Sequence, residues 1–128
     1  MDMNSYSEDL TGNFDTNDIN QNKGVSIVAY IPILFLIPLF GAAGSPFAKF
    51  HSNQGIILTI FAVAVGVSEF IVNLILGWIP IIGTLINVLL GLVLGISLLG
   101  FMIYGMLSAA QGNAKKLPII GNLIDIVK

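Results

Sequence analysis

The sequence predicts an all-α integral membrane protein: three transmembrane helices in a bundle, a disordered acidic N-terminal tail and a C-terminal interfacial segment. Three observations carry this prediction. Hydrophobic residues make up 55% of the 128-residue chain and charged residues 9%, with a mean hydropathy of +0.92, outside the usual soluble composition. Between Lys49 and Lys115 lie 65 residues, and Glu69 is the only acidic or basic side chain among them when His51 is counted neutral. That length crosses a hydrocarbon layer of roughly 30 Å twice, at about 20 residues per crossing. The charges are also segregated: five of the seven acids fall in the first 18 residues, and four of the five lysines at or after position 49.

Composition also excludes several classes. The chain has no Arg, so it lacks a basic nucleic-acid footprint and the Arg-rich character of an organellar transit peptide. It has no Cys, which removes disulfides and thiolate chemistry.

Residues 1–24 are polar and acidic with no apolar period, and they read as a disordered tail. They do not resemble a secretory signal, which places positive charge before an apolar run. The remainder, 25–128, reads as one helical membrane domain. Its first span is expected over about 25–41, with Val25–Phe40 as the apolar heart. Pro32 and Pro38 each remove a backbone donor and predict a kink. A Gly-Ala-Ala-Gly-Ser-Pro turn follows at 41–46. Residues 47–54 (FAKFHSNQ) read as an interfacial loop, with aromatic bodies lying flat and basic tips reaching headgroups.

The second span is expected at 55–76. It is followed by an uncharged turn at 77–83 in which Trp78 can anchor at the interface and Pro80 can open the next helix. The third span is expected at 84–107. After a polar break comes an apolar ending, LPIIGNLIDIVK, which echoes Ile79–Leu89 (IPIIGTLINVL) at an offset of 38 residues. The second copy is too short to cross and reads as an interfacial segment over 117–128. Counting lysines in the short loops predicts an N-terminus outside and a C-terminus in the cytoplasm.

Within the predicted spans, Ala62, Gly66, Glu69 and Asn73 recur at spacings of 4, 3 and 4 and so share one helical face. Asn87, Gly91 and Gly95 do the same on the third span, where Gly91–Gly95 is a GxxxG that permits close helix approach. Folding the spans about Pro80 sets Asn73 level with Asn87, Glu69 with Gly91 and Gly66 with Gly95. Ala62, Gly66, Gly91 and Gly95 are therefore the candidate packing positions. Glu69, Asn73 and Asn87 form a candidate intramembrane polar site. An ionised carboxylate at that depth costs several kcal/mol, about 2.5–3.5 even on insertion scales, and no basic residue in the spans can pair with it. Glu69 is expected to be neutral or wetted by a small cavity, serving either as a proton- or cation-responsive group or as a tie between helices. A lone His without Cys or nearby carboxylates cannot assemble a metal site. No nucleophile with a base, paired carboxylate or phosphate-cradling loop is present. No catalytic residue, metal or cofactor is expected.

Two stretches carry a family resemblance. Residues 45–55 (SPFAKFHSNQG), with Phe47, Lys49, Phe50, His51, Asn53 and Gln54, and residues 109–121 (AAQGNAKKLPIIG) resemble the signature stretches of a family of small multi-pass bacterial membrane proteins. That family is grouped with the twenty-kilodalton subunit of the chloroplast inner-envelope import translocon. The resemblance implies a helical membrane domain and, for the plastid member, a role in moving precursor proteins across a membrane. This chain departs from the pattern in having Asn113 where a basic residue is common and a short acidic tail in place of a transit peptide, so a bacterial plasma membrane is expected. The expected function is that of a non-enzymatic accessory or oligomeric subunit, its partners being the lipid bilayer and either further copies or a membrane complex. A small transporter or channel-forming element using Glu69 is the alternative, and a bacteriocin-like membrane-active peptide the third.

Overall fold

A computed structural model describes residues 9–122. Among them the architecture is helical, with one isolated bridge between Asp9 and Lys115. In chain order the elements are a 3-10 turn at Thr11–Asn13, α1 at Thr16–Ile27, a second 3-10 turn at Val28–Tyr30, short α2 at Leu36–Gly41, and two long helices, α3 at Pro46–Leu76 and α4 at Ile82–Ala110. The long helices form an antiparallel hairpin about the turn containing Trp78 and Pro80. Everything else gathers at the opposite end and makes a compact head.

The stretch read as a disordered tail is ordered from Asp9 onward. Asp15 caps α1, its side chain accepting from the Asn17 amide at 3.3 Å. α1 is polar on most of its surface and holds no apolar period; its order comes from tertiary contacts. Ile19 packs with Phe47 and Ala114, flanked by Leu10, Phe14 and Phe50.

The expected first span is likewise replaced. α1 ends at Ile27, the 3-10 turn runs to Tyr30, and Ile31 is extended. The cause is Pro32, whose ring disfavours the helical conformation in the residue before it. Ile33 then adopts a φ of 77°, costly for a β-branched residue, and its amide donates to Thr59 Oγ1 on α3 at 3.0 Å. α2 has only 6 residues, too few to cross a bilayer. Pro38 sits in its first turn, where amides lack intrahelical partners anyway.

The turn at 41–46 forms as expected, but the next helix begins at Pro46 rather than Gly55, so the predicted interfacial loop 47–54 is the first part of α3. Three features start the helix there. Pro46 occupies its opening position, Ser45 Oγ accepts from the Ala48 amide at 3.0 Å, and Asp18 reaches across from α1 to accept from the Phe47 amide at 2.9 Å.

α3 and α4 contain 31 and 29 residues, about 46 and 44 Å at 1.5 Å per residue. Each exceeds a roughly 30 Å hydrocarbon layer, and the excess lies at the head. There α3 is buried from Phe47 to Leu58 apart from a few half-exposed positions, while from Ile60 onward its large apolar side chains are mostly exposed. α4 mirrors this, exposed along most of its length and buried at Gly105, Ser108 and Ala109. Both helices are long and apolar enough to cross a membrane.

α4 closes in a Schellman motif: the Asn113 amide donates to the Ser108 carbonyl at 2.8 Å, the Gly112 amide to Ala109 at 3.0 Å, and Gly112 takes a φ of 76°. Residues 113–121 then return over the head, burying Ala114, Leu117 and Ile120. The described part of the predicted interfacial tail therefore folds back into the bundle; residues 123–128 lie outside the described residues. Leu10 donates to the Ala114 carbonyl at 2.8 Å. The described N- and C-terminal segments meet at one end of the hairpin.

Candidate functional site

The head is organised by the polar residues of the 47–54 stretch, which point inward. His51 is fully buried on α3, and its Nε2 lies 2.9 Å from the Asn113 carbonyl oxygen. A carbonyl only accepts, so Nε2 carries the proton and Nδ1 is left as an acceptor. The Tyr30 hydroxyl donates to that Nδ1 at 2.5 Å. The rings of Tyr30, Phe47 and Phe50 stand edge-on to the imidazole, with centroids 5.4, 4.6 and 5.1 Å away. The head lies beyond the exposed apolar length of the two long helices. Burial among these rings pushes the His51 pKa down from 6.5 to about 4, although the Asn113 carbonyl favours its charged form. Burial also raises the Tyr30 phenol well above its ordinary value, so it stays a donor.

One turn further along α3, Gln54 closes the C-terminal segment. Its Nε2 donates to the Gly121 carbonyl at 3.1 Å, and its Oε1 accepts from the Leu117 amide at 2.8 Å. Ser108 adds a donor to the Asn113 carbonyl at 3.0 Å and accepts from the Lys115 amide at 3.2 Å. The two stretches that carry the family resemblance, 45–55 and 109–121, thus bond directly to each other. Phe47 and Phe50 also clasp Phe14, with centroids 6.0 and 5.7 Å away. Lys49 is half-exposed, Asn53 is buried, and Ser52 Oγ is enclosed without a partner.

Sequence reasoning missed Tyr30, Asp18 and Asn113 as members of this network. Asp18 alone accepts from Ser45 Oγ at 2.5 Å, the Phe47 amide at 2.9 Å and Asn22 Nδ2 at 2.8 Å. Burial pushes its carboxyl up, but these hydrogen bonds together outweigh it and hold the pKa below the usual aspartate value.

The second site is a cleft of about 410 Å³ between α3 and α4 beside the 77–81 turn, lined by Glu69, Asn73, Gly83, Thr84 and Asn87 among others. The hairpin register matches the expectation here. Asn87 Nδ2 donates to Asn73 Oδ1 at 3.3 Å, and Gly91 faces Glu69 so closely that a Cβ added there would lie 3.4 Å from Glu69 Oε1. The packing expectation fails further along, because a Cβ at Gly66 or Gly95 would meet nothing within 4 Å. Ala62, on the same face of α3, is half-buried.

The tight approaches lie at glycines not singled out from sequence. A Cβ at Gly55 would come within 2.1 Å of the Ala29 carbonyl oxygen, one at Gly105 within 2.1 Å of the Tyr30 ring, and one at Gly83 within 1.8 Å of the Leu76 carbonyl oxygen. No cluster of three or more His, Cys, Asp or Glu able to hold a metal ion occurs among the described residues.

Comparison with known proteins finds no matching family, curated protein or solved structure.

Proposed function

We propose that the chain is a small, non-enzymatic integral membrane protein of a bacterial plasma membrane, acting as an accessory or oligomeric subunit. The observation that carries this reading is the division of the molecule. Asp9, Asp15, Asp18, Lys23, Lys49, Lys115 and Lys116 all belong to the head, whereas the rest of the hairpin carries one charged residue, Glu69, and a nearly continuous cover of exposed Ile, Leu, Val and Phe. Water strongly disfavours so large an apolar surface on a monomer; a bilayer accepts it.

In this reading α3 and α4 make two full crossings. Residues 31–41 replace the third crossing, lying along the head-side interface with Ile33, Leu36, Ile37 and Phe40 toward lipid. All four described lysines sit at the head and none at the 77–81 turn, so the positive-inside rule puts the head in the cytoplasm. The subunit role rests on the resemblance of 45–55 and 109–121 to the translocon-related family. It is supported by the bonding of those stretches into one rigid cytoplasmic surface.

Fractionation tests the reading. The chain should resist alkaline carbonate extraction from membranes and migrate in native gels with an assembly larger than one copy. Release by carbonate, or a strictly monomeric particle in mild detergent, would contradict it.

A further inference from the structure

We propose that the cleft beside the 77–81 turn binds one small monovalent cation, held between Glu69 Oε1 and Asn87 Oδ1. Both oxygens are enclosed and have no hydrogen-bond donor. They line the same cleft, and the register that opposes Asn73 to Asn87 and Glu69 to Gly91 sets them on one face of the helix pair. Asn87 donates one amide hydrogen to Asn73 Oδ1, while its own carbonyl oxygen accepts from nothing among the described residues. Thr84 has spent its hydroxyl hydrogen on the Pro80 carbonyl at 2.9 Å and offers lone pairs.

Glu69 Oε1, Asn87 Oδ1 and Thr84 Oγ1 thus offer lone pairs at the cleft, and the first two are enclosed without a donor. A buried acceptor left without a donor carries a desolvation cost, so the protein gains by filling the gap. No basic side chain is at hand to do so. Glu69 is the only charged residue on α3 beyond Lys49, and α4 carries none. The titratable group nearest along α4 is Tyr104, thirteen residues past Gly91 and so about 20 Å away toward the head; Tyr30 and His51 lie in the head itself.

One carboxylate among neutral oxygens balances a single positive charge and would leave a divalent ion half-compensated. Hard oxygen ligands suit sodium-class ions. The inference does not depend on the subunit reading, since it concerns the hairpin alone.

The test uses the full chain in detergent micelles at pH 7.5. Thermal unfolding is followed by circular dichroism in sodium, lithium or potassium chloride, each against choline chloride at the same ionic strength. At least one small cation should raise the midpoint saturably. At a tenfold excess over its dissociation constant the ion shifts the folding equilibrium about eleven-fold. Glu69→Gln, a neutral isostere, should fold in choline but lose the response, and Asn87→Ala should weaken it. Sodium-23 line broadening on the unmodified protein reports binding without relying on any variant. Identical midpoints in all four salts without line broadening would overturn the proposal, as would a response that survives Glu69→Gln.

Discussion

Replacing Gln54 with leucine strips the head of its clamp on the C-terminal segment while nearly conserving volume. The Leu117 amide, on a residue 1% exposed, loses its Gln54 acceptor at 2.8 Å. An orphaned buried donor costs about 1–3 kcal/mol. The Gly121 carbonyl loses the donor at 3.1 Å, about 1 kcal/mol more by the net value of an ordinary hydrogen bond. The sum is about 2–4 kcal/mol, or roughly 30- to 700-fold in an opening equilibrium at 1.4 kcal/mol per decade. The cost should be local, because α3 and α4 are held along their length by contacts that do not involve Gln54. Amide hydrogen exchange in micelles reads this directly. The Leu117 amide should exchange faster by that factor in Gln54→Leu, while amides in the middle of α4, such as Leu94, keep their rates. Leu117 protection within threefold of the parent in a folded variant would refute the clamp.

Acidification should weaken the head in two windows. His51 binds its proton near 6.5 when unfolded and near 4 when folded. Its contribution is therefore complete above pH 6.5 and falls as pH drops toward 4, by about 3 kcal/mol in all. Denaturation midpoints measured across that range should flatten in His51→Gln. Asp18, held below its ordinary value, contributes above about 3.8 and loses that contribution only as pH falls further. Asp18→Ala removes the cross-cap on α3 and should cost about 1–2 kcal/mol in thermal unfolding at neutral pH. Among the glycines, Gly105→Ala drives a methyl into the Tyr30 ring and should destabilise by about 1–3 kcal/mol, with Gly55→Ala worse because its obstacle is backbone. Gly66→Ala and Gly95→Ala meet open space and should be neutral or stabilise by up to about 1 kcal/mol. Midpoints of the four variants check the ordering.

The legible parts of this protein are those governed by local rules. An apolar run of helical length from Gly55 to the Pro80 turn, with Glu69 as its one charge, announces most of α3 and the hairpin turn, and residue spacing alone places Asn73 opposite Asn87. The illegible parts depend on partners far along the chain. The 47–54 stretch looks like a loop because Lys, His, Ser, Asn and Gln are crowded together. His51 and Gln54 are buried only because Asn113, Leu117 and Gly121, more than 60 residues later, supply partners. α1 shows no apolar period because its anchors are single residues, Ile19 and Asp18. Over 25–41 the apolar composition suggested a crossing, while the conformational demand of Pro32 on Ile31 was the stronger signal. The small-residue stripes point to Gly66 and Gly95, but close approach is set by where Tyr30 and the Ala29 carbonyl lie, which spacing does not encode.

In the proposed arrangement α3 and α4 cross the membrane, and the described N- and C-terminal segments meet on one face over the polar start of α3. The chain has no cysteine, so single cysteines at exposed Asn20 and exposed Gln111 can be probed with a membrane-impermeant thiol reagent in sealed, oriented vesicles. Both positions should label from the cytoplasmic face and neither from the outside, with Trp78→Cys labelling only from the outside. Labelling of Asn20→Cys and Gln111→Cys from opposite faces would restore the third crossing and contradict the account.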